Sequence, residues 1–252
     1  MSRFQIYGET DVGQVRENNQ DSIDWYLNSE EDVALAVVAD GVGGYAGGEV
    51  ASRLAVEYIR ENITIAIRSD ISGWEKERSK MAWQMLDAIS IANKAILDVS
   101  QRNRELAKMG TTLVAALAQA DKLCLAHIGD SRAYIYRNES LEQLTHDHSI
   151  AQELYDGGSL SGTISAPYRN ILTRTLGVAE DVDPDVLLYD TCTDDIFLLC
   201  SDGLTNRLDD NDILNILSER ESLPQCVNTL VAKANAAGGN DNISAMLIAR
   251  IE

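Results

Sequence analysis

Four aspartates stand where apolar runs meet small, sharply turning residues. Asp40 closes Val37-Val38-Ala39-Asp40-Gly41, and Asp130 closes Ala126-His127-Ile128-Gly129-Asp130. Asp202 follows Leu199-Cys200-Ser201 and precedes Gly203, and Asp241 sits in Gly239-Asn240-Asp241-Asn242. A carboxylate at the end of a buried strand is costly unless something pairs with it. The chain has 40 Asp and Glu against 21 Lys and Arg, too few cations to pair its acids one to one. Four such carboxylates therefore suggest a shared cation. Ligands that are all oxygen select hard divalent ions, Mg²⁺ or Mn²⁺ rather than Zn²⁺.

The elements that must position these acids can be read from hydrophobic spacing. Phe4 to Thr10 alternates roughly, and Val33 to Ala39 is a continuous apolar run of buried-strand type. Ala51, Leu54, Ala55, Tyr58 and Ile59 form one helical stripe. Ala82, Met85, Ile89, Ala92, Ile96 and Val99 form a second, with Met81 and Met85 as core and with Gly110 expected to stop the helix. Strands follow at Thr112 to Ala118, Leu123 to Ile128 and Ala133 to Arg137, the first two joined by a tight Ala120-Asp121 connection. Residues 156–170, rich in Gly, Ser and Thr, read as a mobile surface loop. Val186 to Tyr189 and Ile196 to Cys200 are strands, Asp210 to Arg220 and Leu223 to Ala236 are helices, and Ile243 to Ile251 is a last strand. Strands adjacent in sequence and helices in pairs predict an α+β fold of antiparallel sheets covered by helices, not a doubly wound parallel sheet.

The 252 residues, 45% of them apolar, predict one large domain or two small ones. The formal charge of −19 argues against a nucleic-acid backbone or an anionic membrane as partner. No stretch approaches the ~20 apolar residues of a transmembrane helix. The opening Met-Ser-Arg-Phe-Gln-Ile-Tyr has no apolar core of a secretory signal. Cys124, Cys192, Cys200 and Cys226 show no C-x-x-C pairing, which fits a reduced, cytoplasmic setting.

Eight segments add a second line of argument. They are Thr10-Asp11-Val12-Gly13-Gln14-Val15-Arg16-Glu17-Asn18-Asn19-Gln20-Asp21, Asp40-Gly41-Val42-Gly43-Gly44, Gly110-Thr111-Thr112 and Gly129-Asp130-Ser131-Arg132. Then come Leu144-Thr145-His146-Asp147-His148-Ser149, Asn170-Ile171-Leu172-Thr173-Arg174, Ser201-Asp202-Gly203 and Gly239-Asn240-Asp241-Asn242-Ile243-Ser244. In that order they resemble the motifs of the metal-dependent protein serine/threonine phosphatases, the type-2C class, in its bacterial form without extra domains. The resemblance implies a single catalytic domain over residues 1–252, a four-layer α/β/β/α sandwich of two antiparallel sheets flanked by helix pairs, with a mobile flap at about 156–170 that includes Ser161 and Ser165. It implies hydrolysis of phosphoserine and phosphothreonine in proteins by a hydroxide bridging two Mn²⁺ or Mg²⁺ ions, without a covalent phosphoenzyme. Phosphorylated proteins, substrates of a serine/threonine kinase, would be the partners of a cytoplasmic monomer, with neither nucleic acid nor membrane involved.

By the same resemblance Asp40 would bridge the two ions, the Gly41 carbonyl would be a further ligand, and Asp202 and Asp241 would complete the shell of the second ion. Arg16 would hold the phosphate oxygens with its planar fork. Asp21 would orient metal-held water. Asp130, with Asp202, would hold a third, weaker ion near the flap. Two positions depart from the pattern. Val42 stands where many eukaryotic relatives carry a histidine proposed as general acid. In Ser165-Ala166-Pro167-Tyr168-Arg169-Asn170, Ala166 replaces a histidine, and the flap is slightly short.

Plainer readings exist for single residues. Asp130 alone reads as a turn cap with Ser131. Asp147, between His146 and His148, reads as a surface turn with local side-chain bonding. His127 reads as a satisfied core histidine. Gly41-Val42-Gly43-Gly44-Tyr45-Ala46 also fits the G-x-G-x-x-A of dinucleotide-binding proteins. Asp40 would then press a carboxylate against the pyrophosphate, and no acid-ended strand follows about 20 residues on. Asp183-Pro184-Asp185 has D-x-D spacing but precedes its strand instead of ending one. A metal-binding relative that reads phosphorylation without removing it is disfavoured because every expected metal carboxylate is present.

Overall fold

The computed structural model describes residues 3–28, 30, 32–43, 47–69, 78–158 and 171–251. Along the chain run β1 (Phe4–Asp11), β2 (Asp21–Asn28), β3 (Val33–Val42), α1 (Gly47–Ser69), α2 (Arg78–Arg102), β4 (Gly110–Thr111), β5 (Leu113–Gln119), β6 (Lys122–Ile128), β7 (Arg132–Arg137) and β8 (Ser140–Gln143). They are followed by α3 (Ile150–Asp156), β9 (Asp185–Asp190), β10 (Ile196–Cys200), α4 (Asp202–Thr205), α5 (Asp210–Ser218), α6 (Leu223–Ala236) and β11 (Ile243–Arg250).

Two antiparallel sheets result. One has the order β1-β11-β10-β7-β8, and the other β2-β3-β5-β6-β9 with β4 on the end of β3. The apolar run of β3 is unbroken because both of its faces are buried. Ala34, Ala36 and Val38 meet Phe197, Leu199, Met246 and Ile248 of the opposite sheet. Val33, Leu35 and Val37 meet the α1 stripe of Ala55, Ile59 and Ile63 and the α2 stripe of Met85, Ile89 and Ile96. On the far side Leu198, Cys200, Ala245 and Leu247 pack on α5 and α6. The layers are thus helix pair, sheet, sheet, helix pair, an α/β/β/α sandwich.

Several boundaries differ from expectation. The second helix ends at Arg102, well before Gly110, because the Asn103 side chain accepts the Glu105 N–H at 3.0 Å and caps a 3₁₀ turn over Arg104–Leu106. Gly110 instead opens β4. The predicted flap lies almost wholly outside the described residues, Ser161 and Ser165 included; Asp156 is the last residue of α3. No helix among the described residues is long and apolar enough to cross a membrane.

Candidate metal centre

The sheets bring five aspartates to one end of the sandwich. Asp21 and Asp40 face each other across β2 and β3. The Gly110-Thr111-Thr112 segment fixes the Asp40 backbone: the Asp40 N–H donates to Thr112 Oγ1 at 2.9 Å, and the Thr112 N–H and Thr111 hydroxyl both donate to the Asp40 carbonyl at 2.8 Å. Thr112 also bonds Ser131 at 2.7 Å, which ties the Asp130 turn to β5. Asp202 opens α4 straight after β10 and accepts from Asn206 Nδ2 at 3.0 Å. Asp241 lies just before β11.

Close backbone approach explains the glycines between these acids. A Cβ on Gly41 would lie 2.2 Å from the Gly48 oxygen and 2.7 Å from that of Gln20, and one on Gly203 would lie 1.9 Å from the Asn242 oxygen. The need for glycine after Asp40 and Asp202 is therefore packing of one active segment on another.

Electrostatics set this group apart. Burial, then the repulsion of Asp21, Asp202, Asp130 and Asp241, raises the Asp40 carboxyl well above the usual range. Burial first, then Asp202, pushes Asp130 up to about 7. Asp21, also burdened first by burial, is pushed up to about 7 although two serine hydroxyls pull it down. Asp202 is raised by burial and by Asp241. Oδ1 of Asp21 and Oδ1 of Asp202 are buried with no hydrogen-bond partner among the described residues. Carboxylate oxygens alone, crowded and in part orphaned, fit hard divalent cations.

Arg16 comes from the loop after β1, and its Nη2 lies 2.8 Å from Asp241 Oδ2. The pair is open, with the two side chains 53% and 36% exposed, so water screens it and the guanidinium can exchange partners at little cost. Sequence reasoning missed the residue that places this loop. Asn242 donates through Nδ2 to the carbonyls of Val12 and Asn18 at 3.0 and 2.9 Å, and its Oδ1 accepts the Gln20 N–H at 2.8 Å. The carboxyl-terminal Asn-Asp-Asn motif is the visible part of that signal.

A cavity of about 290 Å³ adjoins the centre, between Asp130 and Asp202 on one side and Gln152 and Tyr155 of α3 on the other. Two local readings are corrected beside it. Asp147 is no surface turn: it takes a bidentate pair from Arg132, Nε to Oδ1 at 2.9 Å and Nη2 to Oδ2 at 2.7 Å. The reading of His127 as a core histidine holds in its burial, but among the described residues neither ring nitrogen makes a hydrogen bond of good geometry, with the Ser131 backbone and the His148 ring beside it. His127, His148 and Asp185 have ligand-type atoms within 4.8 Å of one another. They do not form the metal centre. His148 Nδ1 accepts the Gly129 N–H at 3.2 Å, which leaves the proton on Nε2 facing Asp185 at 3.2 Å, and Arg174 holds the other Asp185 oxygen at 3.1 Å. That chemistry tethers strands instead of binding a cation.

Comparison with known proteins gives the same direction. Residues 13–247 match the model of the protein phosphatase 2C family. The serine/threonine phosphatase stp of Listeria monocytogenes serotype 4b is 36% identical over 247 residues, spanning 96% of this chain and 94% of that protein. Protein phosphatase PhpP of Streptococcus pneumoniae is 35% identical, over 96% of both. The serine/threonine phosphatase of S. agalactiae superposes with a TM-score of 0.87 at 34% identity, over 99% of this chain and 100% of that one. The catalytic domain of the phosphatase PstP, solved with two manganese ions, gives 0.83 at 31% identity over 99% of each.

Proposed function

This chain belongs to the protein phosphatase 2C family, and on that premise we propose how its residues remove phosphate from phosphoserine and phosphothreonine in proteins. The observation that carries the reading is the convergence of five aspartates, two with orphaned buried oxygens, beside one exchangeable arginine. Asp40, Asp202 and Asp241, with the Gly41 carbonyl, hold two Mn²⁺ or Mg²⁺ ions. Ions of this kind supply, when bound, a water acidic enough to attack phosphorus and positive charge for the phosphoryl oxygens.

The chain's own groups do the rest. Arg16 leaves Asp241 and takes the substrate phosphate on its planar fork, which a lysine ammonium could not match in geometry. Asp21, paired with Asp40 across β2 and β3 and with its Oδ1 not taken up by hydrogen bonds among the described residues, would orient the attacking water. Val42 ends β3 with no titratable group, so protonation of the departing serine or threonine oxygen falls to solvent within the site. Asp130 and Asp202 hold a third, weaker ion beside the 290 Å³ cavity. The whole chain is one catalytic domain, a cytoplasmic monomer that reverses the work of a serine/threonine kinase and contacts neither nucleic acid nor membrane.

The experiment is phosphate release from a phosphothreonine peptide. Activity with Mn²⁺, its loss with chelator and its return on adding metal are expected. Full activity in metal-free protein refutes the reading.

A further inference from the structure

Behind Asp21 lies a closed ring of hydrogen bonds that the carboxylate cluster does not require. Asp21 Oδ2 accepts two hydroxyls, Ser201 Oγ at 2.7 Å and Ser244 Oγ at 2.7 Å. Ser244 Oγ is also 2.8 Å from Thr10 Oγ1, its cross-strand partner on β1. Thr10 Oγ1 accepts from Asn19 Nδ2 at 2.9 Å, and Asn19 Oδ1 accepts the backbone N–H of Asp21 at 3.1 Å. Ser201 Oγ in turn accepts the Ser244 N–H at 2.9 Å. Ser201 and Ser244 are fully buried.

The direction of this ring is fixed by its one backbone member. The Asp21 N–H can only donate, so the oxygen of the Asn19 amide must face it and the NH₂ must face Thr10. Thr10 Oγ1 already receives that NH₂, so its single hydrogen goes to Ser244. The single hydrogen of Ser244 then goes to Asp21. An amide cannot pass a proton on, so the ring is a lock and not a relay. Its effect is to fill Oδ2 twice and leave Oδ1, buried and unpartnered, as the carboxylate atom available to the centre.

We infer that Ser244, backed by Thr10 and Asn19, is a positioning residue of the hydrolysis: it holds Asp21 in the one rotation that presents Oδ1 to the reacting water. The inference rests on the phosphatase reading above and assigns a task to a residue that touches neither substrate nor metal. A charge-assisted hydrogen bond to a buried carboxylate is among the stronger kinds, and losing it leaves Oδ2 held by Ser201 alone and loosens the rotation of Asp21.

The test compares Ser244→Ala and Ser244→Thr with wild type in the full chain. It measures kcat and KM on a phosphothreonine peptide at saturating Mn²⁺, Mn²⁺ affinity by calorimetry, and Tm. Ser244→Ala is expected to lower kcat by about 10- to 100-fold with KM and Mn²⁺ affinity within about twofold of wild type. Ser244→Thr keeps the hydroxyl and is expected to restore kcat to within about threefold. A normal kcat in Ser244→Ala overturns the inference. So does a fall in kcat that follows a fall in Mn²⁺ affinity, and so does an equal loss in both variants with an equal drop in Tm. Wild-type protein that releases no phosphate with Mn²⁺ overturns the phosphatase reading, and this inference with it; active wild type beside an undisturbed Ser244→Ala overturns the inference alone.

Discussion

Replacing Asp130 by Asn should make the metal-free protein more stable, not less. In the fold this carboxyl is half-buried near Asp202 and Asp147 and is pushed up, first by desolvation and then by Asp202, from 3.8 to about 7. An acid raised by folding carries a proton in the folded state that the unfolded chain has already released. Stability therefore falls as pH rises from about 4 to about 7, and the full penalty stands above that. The difference of about 3 units corresponds to at most about 4 kcal/mol at 1.36 kcal/mol per unit. Contact with solvent and protons shared with Asp202 reduce this to about 2 kcal/mol. Asparagine keeps the shape and cannot ionise. For a chain of this length each kcal/mol moves Tm by about 2–4 °C, so Asp130→Asn should gain about 4–8 °C at pH 7.5 in chelator. At pH 4 the gain should vanish, because both forms are then neutral. Excess Mn²⁺ should reverse the order, since only the wild type keeps the full charge that binds the ion. Thermal unfolding of both proteins from pH 4 to 8, with chelator and with Mn²⁺, checks all three parts. Equal Tm values in chelator across that range would refute the argument that Asp130 is held against like charge.

Asp40→Asn should abolish Mn²⁺-dependent turnover and remove ion binding in calorimetry, because it takes charge from both ions at once; retained activity would sink the two-ion reading. Arg16→Ala should raise KM on a phosphopeptide while Mn²⁺ affinity holds, and unchanged kcat and KM would remove the phosphate role. Val42→His should leave the rate on p-nitrophenyl phosphate unaltered, since a phenolate leaves without help, and raise it on a phosphoserine peptide; equal effects on both would count against the account. Arg137→Leu should lower stability by about 1–3 kcal/mol, read in urea, because it removes the Arg137 bonds at 2.7 and 2.6 Å from the Asp195 carboxylate, which is 1% exposed and then keeps the Cys192 N–H.

Asp40, Asp130, Asp202 and Asp241 were legible because each sits near an apolar run with a glycine or asparagine next to it, whereas Asp21, between Gln20 and Ser22, was reached only through the motif resemblance. The α+β order was legible because strands adjacent in sequence alternate with paired helices, while the four-layer sandwich came from the motif resemblance. Other features depend on contacts the local pattern does not encode. The β7–β8 hairpin turns at Asn138 and Glu139, both with φ above +50°, and a glutamate in that conformation carries no turn signal. β2 mixes Asp21, Asp24 and Asn28 with Trp25 and Leu27 because it is an edge strand, partly open to solvent. The pairing of Asp147 with Arg132 and the reach of Asn242 to Val12, Asn18 and Gln20 join residues 15 and more than 220 positions apart. His127 met its expectation of burial, but its neighbours His148 and Asp185 come from segments that the local pattern of its own strand does not encode.

The grip of Asn242 on the loop that carries Arg16 has a consequence for synthesis. Arg16 and β1 are made well before the side chain that shapes the Arg16 loop and the strand that pairs with β1, which lie more than 220 residues further along the chain. A nascent chain can close the β3–β5–β6 meander early, but it has no centre until residues 239–250 arrive. The proposed centre is therefore assembled only once those residues have been made, and a chain cut short of Asp241 keeps Arg16 and four of the five aspartates without the loop geometry that brings them together.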